Sequence, residues 1–554
     1  MPITHIHNTD VVVVYAFGGM AYLQTDGDNK HVSDRARGIS TSTYVEEVRK
    51  DMKAVRHILL MAALLALAFL PLTAAAQTTS TVETSGFQVQ NLSNSPANIT
   101  VQYISATTQQ PVATQSAIIP AGGSLTFVTF TAPGFVQMSV PPGFRGSVVI
   151  LSDQPIVAVT NILSANANLA DSYAGFLSGA TSLNLPLIVR DNFGIDTSIT
   201  VQNVGNTSAT VNISYVPGIA GNPATEPPFS LAPGASKTIF QKDNTALGSG
   251  APGFVGSATI TATGNIVATV LQEGNGQLLA YNSFLAGTGS PTAALPLVLG
   301  NNFGAYTGIQ VLNAGTLPTT VTIDFAPNTV TAPTGGLTPC TTPPQRQLSI
   351  NPNQTGTLIQ DAGNGNPPFD SFFNGCIYIG GATVTSNNNQ TLFVIVNQVN
   401  SGSKDASSYA GFNPTTATDT VLAPLVAANN FGTFSGVQVQ NIGTTPTSVT
   451  ITYGPNTFTG TPPPGFTLCS TPTSRTTTVP VQPGASFTFL QTYIAGQQAG
   501  LSPIGSDSQF ESCTYVGSAT IKADAGGKIV AIVNQISTGP ASNDKLFTYG
   551  AFAQ

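Results

Sequence analysis

Four stretches of the chain share an alternation of hydrophobic and polar residues that is typical of half-buried strands. Each stretch opens on an Asn, and an aromatic residue stands twelve positions further on in every copy. Between them, Val or Ile alternates with Thr, Asn, Ser, Gln or Asp at a period of two. The four stretches are residues 91–103, 203–215, 313–325 and 441–453. The pattern therefore predicts one antiparallel β unit that is used four times.

The segment around residues 181–290 illustrates the predicted fold of one unit. It holds seven short strand-like segments in about 110 residues, separated by turn signals and without helical periodicity. The Asn-x-Gly elements at Asn203, Asn313 and Asn441 follow a strand, so we interpret these asparagines as turn caps rather than ligands. Strand count and spacing predict an all-β array of immunoglobulin-like antiparallel sandwiches.

Related opening and closing segments set the predicted domain limits. Repeats 2 to 4 open on a hydrophobic strand that ends in Asn-Phe-Gly, and all four repeats close on an aromatic strand. The joints between repeats are short, which predicts closely spaced units in a semi-rigid rod. The predicted limits are 1–51 for an over-extended N-terminal segment, 52–76 for a signal peptide, 77–180 for repeat 1, 181–290 for repeat 2, 291–416 for repeat 3 and 417–554 for repeat 4.

Residues 52–76 have the layout of a secretory signal peptide. An internal Met precedes the basic residues Lys53 and Arg56, an apolar core follows, and small residues lead to a cleavage site after Ala76. The apolar run is about 13 residues, shorter than the ~20 that a spanning helix needs. This predicts export to the cell surface or the extracellular space, with no membrane segment after cleavage. The alternative is a cytoplasmic tail, residues 1–51, ahead of an uncleaved signal anchor.

Charge is scarce beyond the predicted cleavage site. Seven of the 17 basic and seven of the 24 acidic residues precede residue 77, which leaves 10 and 17. This is about 6% of the predicted mature chain, against about 25% in an ordinary soluble domain. So few cations build no basic patch, which excludes nucleic acid as a partner. The polar faces must instead carry uncharged side chains, which leave sheet edges unprotected against pairing with neighbours.

The four cysteines fall two to a repeat, in repeats 3 and 4. Cys376 and Cys513 stand at one aligned position, where repeats 1 and 2 have Pro. Cys340 and Cys469 lie in an insertion that only repeats 3 and 4 contain. Matched positions, an even count and an oxidising destination predict the disulfides Cys340–Cys376 and Cys469–Cys513. A zinc site is disfavoured, because there is no Cys-x-x-Cys and every histidine precedes residue 58.

Repeat 1 lacks the opening strand of the other repeats. It enters directly at Gly86, preceded only by the polar residues 77–85. Its sandwich is therefore expected either to lack one strand, leaving an edge that a strand of another chain can fill, or to take a shorter, more polar strand from residues 77–85. We favour the second interpretation.

The residues that support common enzyme chemistry are absent or scattered. Without histidine after residue 57, the predicted mature chain has no histidine-based triad or general base, and no catalytic residue, cofactor site or metal site is predicted. Asp171 and Asp405 precede closing strands and are interpreted as turn residues. The Asn-Phe-Gly aromatics and the closing strands fit either a sugar-stacking platform or packing in the core and joints, and we favour packing. The phenylalanines concerned are Phe193, Phe303 and Phe431.

Two segments, residues 198–215 and 436–453, each contain a strand, an Asn-x-Gly turn and a long alternating strand. They resemble the tandem immunoglobulin-like repeats of exported bacterial surface proteins, and the cell-adhesion-related (CARDB-like) repeats above all. The resemblance implies a non-enzymatic structural or adhesive surface protein that associates with itself, neighbouring surface proteins or glycans. The alternative function is a carbohydrate- or protein-binding array that recognises its ligand through the loops of repeats 3 and 4.

Overall fold

The alternating stretches form strands in the computed structural model, which is almost entirely β. It describes residues 10–17, 83–131, 135–164, 169–330, 336–361, 363, 368–400, 402–458, 460–477, 479–492, 504–537 and 544–554. The predicted signal peptide, its cleavage site and residues 77–82 lie outside the described residues.

The strands of the first two repeats follow the predicted alternation. Those in and beside repeat 1 are β1 (Asp10–Phe17), β2 (Glu83–Asn91), β3 (Ala97–Ser105), β4 (Pro111–Ile119), β5 (Ser124–Val128), β6 (Val136–Gln137), β7 (Arg145–Ser152), β8 (Ile156–Ser164) and β9 (Leu169–Ala174). Those of repeat 2 are β10 (Ala180–Arg190), β11 (Ile195–Asn203), β12 (Ala209–Ala220), β13 (Ala224–Thr225), β14 (Phe229–Leu231), β15 (Ser236–Phe240), β16 (Phe254–Gly274), β17 (Gln277–Asn282) and β18 (Phe284–Leu285).

The last two repeats have the same plan with the insertions added. Repeat 3 contains β19 (Thr292–Gly300), β20 (Ala305–Asn313), β21 (Thr319–Phe325), β22 (Thr338–Pro339), β23 (Arg346–Ile350), β24 (Thr355–Ile359), β25 (Cys376–Ser386), β26 (Leu392–Asn400) and β27 (Ala406–Ala410). Repeat 4 contains β28 (Thr420–Ala428), β29 (Thr433–Asn441), β30 (Val449–Tyr453), β31 (Thr467–Leu468), β32 (Arg475–Thr476), β33 (Ser486–Leu490), β34 (Ile504–Ser506), β35 (Cys513–Ala523), β36 (Ile529–Ser537), β37 (Leu546–Gly550) and β38 (Phe552–Ala553). Short 3-10 turns lie at Gln241–Asp243, Thr245–Leu247, Ser371–Phe373, Pro414–Thr416 and Ser508–Phe510.

Within the described ranges, every sheet is built from strands of a single repeat, with β1 joining repeat 1. One sheet of repeat 1 has the order β1-β7-β3-β4, and the other has the order β6-β5-β2-β8-β9. Repeats 3 and 4 pair their strands in the same two-sheet way, whereas β16 of repeat 2 runs through both layers and joins them into one sheet. The all-β, antiparallel sandwich architecture expected from the sequence is confirmed.

The cores lie where the period of two places the hydrophobic side chains. In β12, Val211, Ile213 and Tyr215 are buried, while Asn212 and Ser214 between them are exposed. Equivalent positions of the other repeats are buried in the same manner, so each sandwich has its own apolar centre. Burying such side chains is the main favourable term in the folding of each unit.

The repeats form a closed ring rather than the expected rod. The closing strands β9, β17, β27 and β37 contact one another in that order around a common axis, and β37 also contacts β9. Repeat 4 thereby packs against repeat 1, with β28 lying against β2 and β8. The prediction of a rod was wrong, because short joints determine the distance between neighbouring repeats but not the angle between them.

A proline carbonyl of one repeat meets a glutamine of the next at three of the four joints. Gln310 Nε2 donates to the Pro186 carbonyl at 3.4 Å, and Gln438 Nε2 donates to the Pro296 carbonyl at 3.1 Å. The ring closes through the same contact, since Gln88 Nε2 donates to the Pro424 carbonyl at 2.6 Å. We call this joint between repeats 4 and 1 the seam.

Candidate functional site

The edge strand β7 of repeat 1 is paired with a segment from far upstream. In repeats 2 to 4 the opening strands β10, β19 and β28 pair antiparallel with β16, β25 and β35. In repeat 1 this place is taken by β1, which pairs along the whole of β7, from Asp10 opposite Ser152 to Phe17 opposite Arg145. Repeat 1 thus has a complete sheet, although the described residues of 77–180 contain no opening strand for it.

The shorter strand expected from residues 77–85 is not formed by their described part. Residues 83–85 are the beginning of β2 and pair with β8, from Glu83 opposite Ser164 to Ser85 opposite Ile162. They lie in the sheet that faces β7 across the core. The favoured sequence interpretation was therefore wrong for residues 83–85, because their register belongs to β2.

The capping role predicted for the asparagines after the second strand is confirmed. Asn203 accepts the Gly205 N–H and donates to the Thr207 and Leu231 carbonyls at 2.8 and 2.9 Å. Asn313 and Asn441 make the same three contacts, and all three side chains are fully buried. Their amides are saturated by the backbone, so they offer nothing to a ligand.

Two of the three Asn-Phe-Gly aromatics are exposed, contrary to the packing that the sequence favoured. Phe193 is 68% exposed and Phe303 is 62% exposed. Both have φ near +50°, which is unusual and costly for a residue with a bulky side chain. Phe431 of repeat 4 has the same φ but packs edge-on against Phe458, with ring centroids 6.1 Å apart. Within the described part of the chain, the strain is thus accompanied by aromatic packing only in repeat 4.

The closing-strand tyrosines do pack inside the sandwiches, as expected. The hydroxyls of Tyr281, Tyr409 and Tyr549 donate to backbone carbonyls of the opening strands at 2.5–2.6 Å. Burial raises the pKa of each hydroxyl. These tyrosines connect the closing strand to the opening strand, and their rings are buried, so a sugar cannot stack on them.

Both predicted disulfides are present and hold the insertions against the sheet. Cys340 is bonded to Cys376, and Cys469 is bonded to Cys513. The inserted strand β22 pairs in parallel with the beginning of β25, and β31 does the same with β35. An ion pair supports each insertion, Arg346 with Asp370 at 2.8 Å and Arg475 with Asp507 at 3.0 Å. Ligand recognition by these loops stays a prediction.

A buried carboxyl group on the ring axis contacts every repeat. Asp171 in β9 accepts the Ala280 N–H of repeat 2 at 2.5 Å, the Ser407 hydroxyl of repeat 3 and the Thr548 N–H of repeat 4 at 3.4 Å. It is fully buried. Desolvation raises the pKa of this carboxyl well above its usual value, and the nearby Asp544 raises it further. Interpreting Asp171 as a turn residue was wrong, because its side chain joins the repeats.

Asp544 is a second buried carboxyl group at the axis. Its oxygens accept the Leu278 N–H at 2.7 Å and the Ala406 N–H at 2.8 Å, so it bridges repeats 2, 3 and 4. Burial raises the pKa of Asp544 to about 8. Both carboxyl groups are held by backbone donors of other repeats, an arrangement that fastens the ring.

Amide pairs also join neighbouring repeats near the axis. Gln272 and Asn397 exchange two hydrogen bonds, of 3.3 and 3.1 Å, across the joint between repeats 2 and 3. Gln398 and Asn534 repeat the exchange, at 3.3 and 2.9 Å, between repeats 3 and 4. At the joint between repeats 1 and 2 the equivalent residues are apolar and pack in one cluster, Ile162 with Leu271. Reciprocal amide pairs are thus present at the joint between repeats 2 and 3 and at the joint between repeats 3 and 4.

The equivalent pair at the seam is not formed. Gln535 and Asn161 occupy the positions of Gln398 and Asn534, yet Gln535 Nε2 and Asn161 Oδ1 are buried without a hydrogen-bond partner among the described residues. Both side chains line a cavity of about 180 Å³ between repeats 4 and 1. The seam therefore keeps the Gln88–Pro424 contact and lacks the amide contact.

The described residues contain neither a candidate metal site nor a candidate membrane-spanning helix. Within them, no three His, Cys, Asp or Glu side chains group closely enough to hold a metal ion. No helix in the same residues is both long and apolar enough to cross a membrane.

No protein-family model and no curated protein matches the chain. Among solved structures, the crystal structure of Thermotoga maritima 1070 aligns with 19% of this chain and 95% of its own, at 14% identity and a TM-score of 0.16. The structure of glycoside hydrolase family 32 from Bifidobacterium adolescentis aligns with 85% of this chain and 94% of its own, at 7% identity and a TM-score of 0.12. These TM-scores are too low to carry an argument about fold or function.

Sequence reasoning missed the axis carboxyl groups and the amide pairs. One signal was available in the sequence. Repeats 1, 3 and 4 share a glutamine at one aligned position, namely Gln88, Gln310 and Gln438. Repeat 2 has Thr200 at this position, and it follows repeat 1, the repeat whose sequence lacks the opening strand. This exception points to a contact between the glutamine and the opening strand of the preceding repeat. The seam contact joins residues 336 positions apart, so periodicity alone does not reveal it.

Proposed function

We propose that the exported protein is a non-enzymatic structural or adhesive component of the cell surface, and that its copies associate through the β7 edge. The pairing of β1 with β7 carries this proposal. Cleavage after Ala76 removes β1 and leaves the edge of β7 without its neighbour. An unpaired edge of this length is a template for a strand from another chain.

After cleavage, the residues that remain ahead of β2 are too few to form a strand in the place of β1. In repeats 2 to 4, four residues separate the opening strand from the next strand, as between Arg190 and Ile195. Residues 77–82 precede β2, so a turn of that length leaves about two residues, whereas β19 and β28 have nine each. We therefore propose that a second molecule supplies the missing strand.

The scarcity of charge supports the same function. β7 carries a basic residue, Arg145, only at its first position, and no acidic residue. Charged residues are the usual protection of sheet edges against pairing. The two disulfides fit a protein that works in an oxidising compartment.

The test begins with export of the full chain, followed by intact-mass measurement of the product and light scattering at several concentrations. We expect cleavage after Ala76 and oligomers that grow with concentration. A synthetic peptide of residues 10–17, DVVVVYAF with lysine tails for solubility, should cap β7 and dissolve the oligomers, whereas a scrambled peptide should not. A cleaved product that stays monomeric at every concentration would overturn the proposal.

A carbohydrate- or protein-binding array is the second candidate, and the exposed Asn-Phe-Gly turns favour it. Phe193 and Phe303 present aromatic rings to solvent at equivalent places of adjacent repeats, as a multivalent binding surface would. A glycan array probed with the exported chain, and with a Phe193→Ser, Phe303→Ser double variant, tests this. Binding by the wild type that the double variant loses would favour recognition over assembly.

A further inference from the structure

The cavity at the seam has apolar walls and opens to the surface. Phe87 and Val159 of repeat 1 face Ala427 and Val516 of repeat 4 across it, and all four are buried. Other lining residues, among them Phe130 and Leu163, are only half-buried, so the cavity reaches the outside of the ring. No charged side chain lines it among the described residues. Its occupant is therefore expected to be neutral and largely apolar.

Three amide atoms in the cavity wall lack hydrogen-bond partners in the described part of the chain. They are the acceptors Asn161 Oδ1 and Asn430 Oδ1 and the donor Gln535 Nε2. Gln535 is 95% buried, its exposed fraction being 5%. A buried polar atom without a partner costs about 1–3 kcal/mol. An occupant that supplies N–H and C=O groups beside an apolar body would remove this cost.

The volume fits one aromatic ring. A cavity of about 150 Å³ that is lined by apolar side chains accepts benzene, and the seam cavity measures about 180 Å³. The chain itself carries exposed phenylalanines, each preceded directly by an asparagine, in the turns at Phe193 and Phe303. Each turn combines a phenyl ring with neighbouring amide groups, which is the chemistry that the cavity wall requires.

We propose that the seam cavity receives an Asn-Phe-Gly turn of a second copy of this chain. The Phe303 turn suits it better than the Phe193 turn, because Asn301 and Asn302 precede Phe303 whereas the charged Asp191 lies two residues before Phe193. Turn and cavity are different surfaces of one molecule, so the contact is head-to-tail and builds closed rings or open chains of molecules. This inference deepens the proposed self-association and rests on it, while naming a second contact that is independent of the β7 edge.

The test uses a fluorescent cyclic peptide that carries residues 299–306, LGNNFGAY, and the full chain. We expect saturable binding by fluorescence anisotropy, and loss of binding when Ser replaces Phe in the peptide. Ala427→Trp fills the cavity and should weaken binding at least tenfold. Gln535→Leu, which adds no bulk, should weaken it several-fold, whereas the matched Gln272→Leu at a different joint should leave the affinity unchanged.

The peptide result is separable from the fate of the proposed function. Absence of saturable binding would overturn the cavity as the receptor of the turn. The same conclusion would follow if the Ala427→Trp and Gln535→Leu variants, both folded by circular dichroism, bound the peptide as tightly as the wild type. Peptide binding together with an exported protein that is always monomeric would retain the cavity as a turn-binding site and overturn the self-association alone.

Discussion

The joint between repeats 3 and 4 and the seam between repeats 4 and 1 use the same positions of the fold and differ in their contacts. Both have the glutamine-to-proline contact, through Gln438 in one case and Gln88 in the other. Only the first has the reciprocal amide pair, Gln398 with Asn534. Peptide linkage distinguishes them, since the chain runs directly from repeat 3 into repeat 4. A linked joint is held close by its own peptide connection, whereas the seam is held by non-covalent contacts such as that of Gln88 with Pro424.

The largest effect on the free energy of unfolding is expected at the axis, where the Asp171 side chain contacts repeats 2, 3 and 4 and so supports both the linked joints and the seam. Asp171→Ala leaves the Ala280 and Thr548 N–H groups buried without an acceptor, at about 1–3 kcal/mol each. We expect the free energy of unfolding in urea to fall by about 2–4 kcal/mol at pH 6. The exposed Asp324→Ala is the control and should change it by less than about 0.5 kcal/mol. Equal effects of the two substitutions would contradict the conclusion that the Asp171 side chain joins the repeats.

Next in size is the pH dependence, which the axis carboxyl groups impose on the whole ring. Burial raises the pKa of Asp544 to about 8, so the folded protein holds a proton that the unfolded chain releases near pH 4. Stability from this group is therefore complete below about pH 4 and is lost as the pH rises through about 8. We expect the melting temperature to fall by several degrees from pH 6 to pH 9.

The Asp544→Asn variant is the control for this pH dependence. It lacks the titrating group and should show a flatter profile, although its melting temperature at pH 6 is lower because one N–H loses its acceptor. A profile as steep as that of the wild type would assign the dependence to other groups.

A smaller effect separates the two joints directly. Gln398→Leu leaves the Asn534 Nδ2 donor without its acceptor and should cost about 1–3 kcal/mol of unfolding free energy. Gln535→Leu at the seam removes a donor that has no partner in the described part of the chain, so we expect a change near zero or a slight gain. Denaturation in urea measures both. An equal loss in the two variants would mean that the seam pair forms in solution.

The smallest effect concerns the turns. Phe303→Asn places a residue that tolerates positive φ at an exposed, strained position, and should raise the unfolding free energy by about 0.5–1 kcal/mol. Phe431→Asn at the turn beside the seam removes the packing on Phe458 as well, and should lower it. Thermal melts of the two variants should thus shift in opposite directions. A loss of stability in both would show that the Phe303 ring is packed.

The local parts of the fold could be predicted because they depend on near neighbours. Strand faces follow from the period of two, Asn203 caps a turn two residues away, and each disulfide pairs an inserted cysteine with an aligned one. The ring could not be predicted in this way. Its contacts, such as that of the Gln88 side chain with the Pro424 carbonyl, use uncharged side chains that the pattern assigns to a solvent face.

The candidate site shows the same division. The missing opening strand of repeat 1 was visible as a gap in an aligned pattern, but the segment that fills it in the structure precedes the predicted signal peptide. Asp171 was visible as a residue near a closing strand, yet its role depends on three repeats that meet only in the folded ring. Sequence pattern identifies which repeat is exceptional, and the structure is needed to find the partner.

The position of the seam determines how the protein bears mechanical load. β2 at the beginning of repeat 1 packs against β28, and the last strand, β38, pairs with β28. We therefore expect tension applied between residues 83 and 554 to load the seam directly and to open it before it stretches the sandwiches one after another. A rod would carry the same tension through four units in series. Under shear, the ring would extend by opening at its weakest contact while the hydrogen-bonded sheets stay intact.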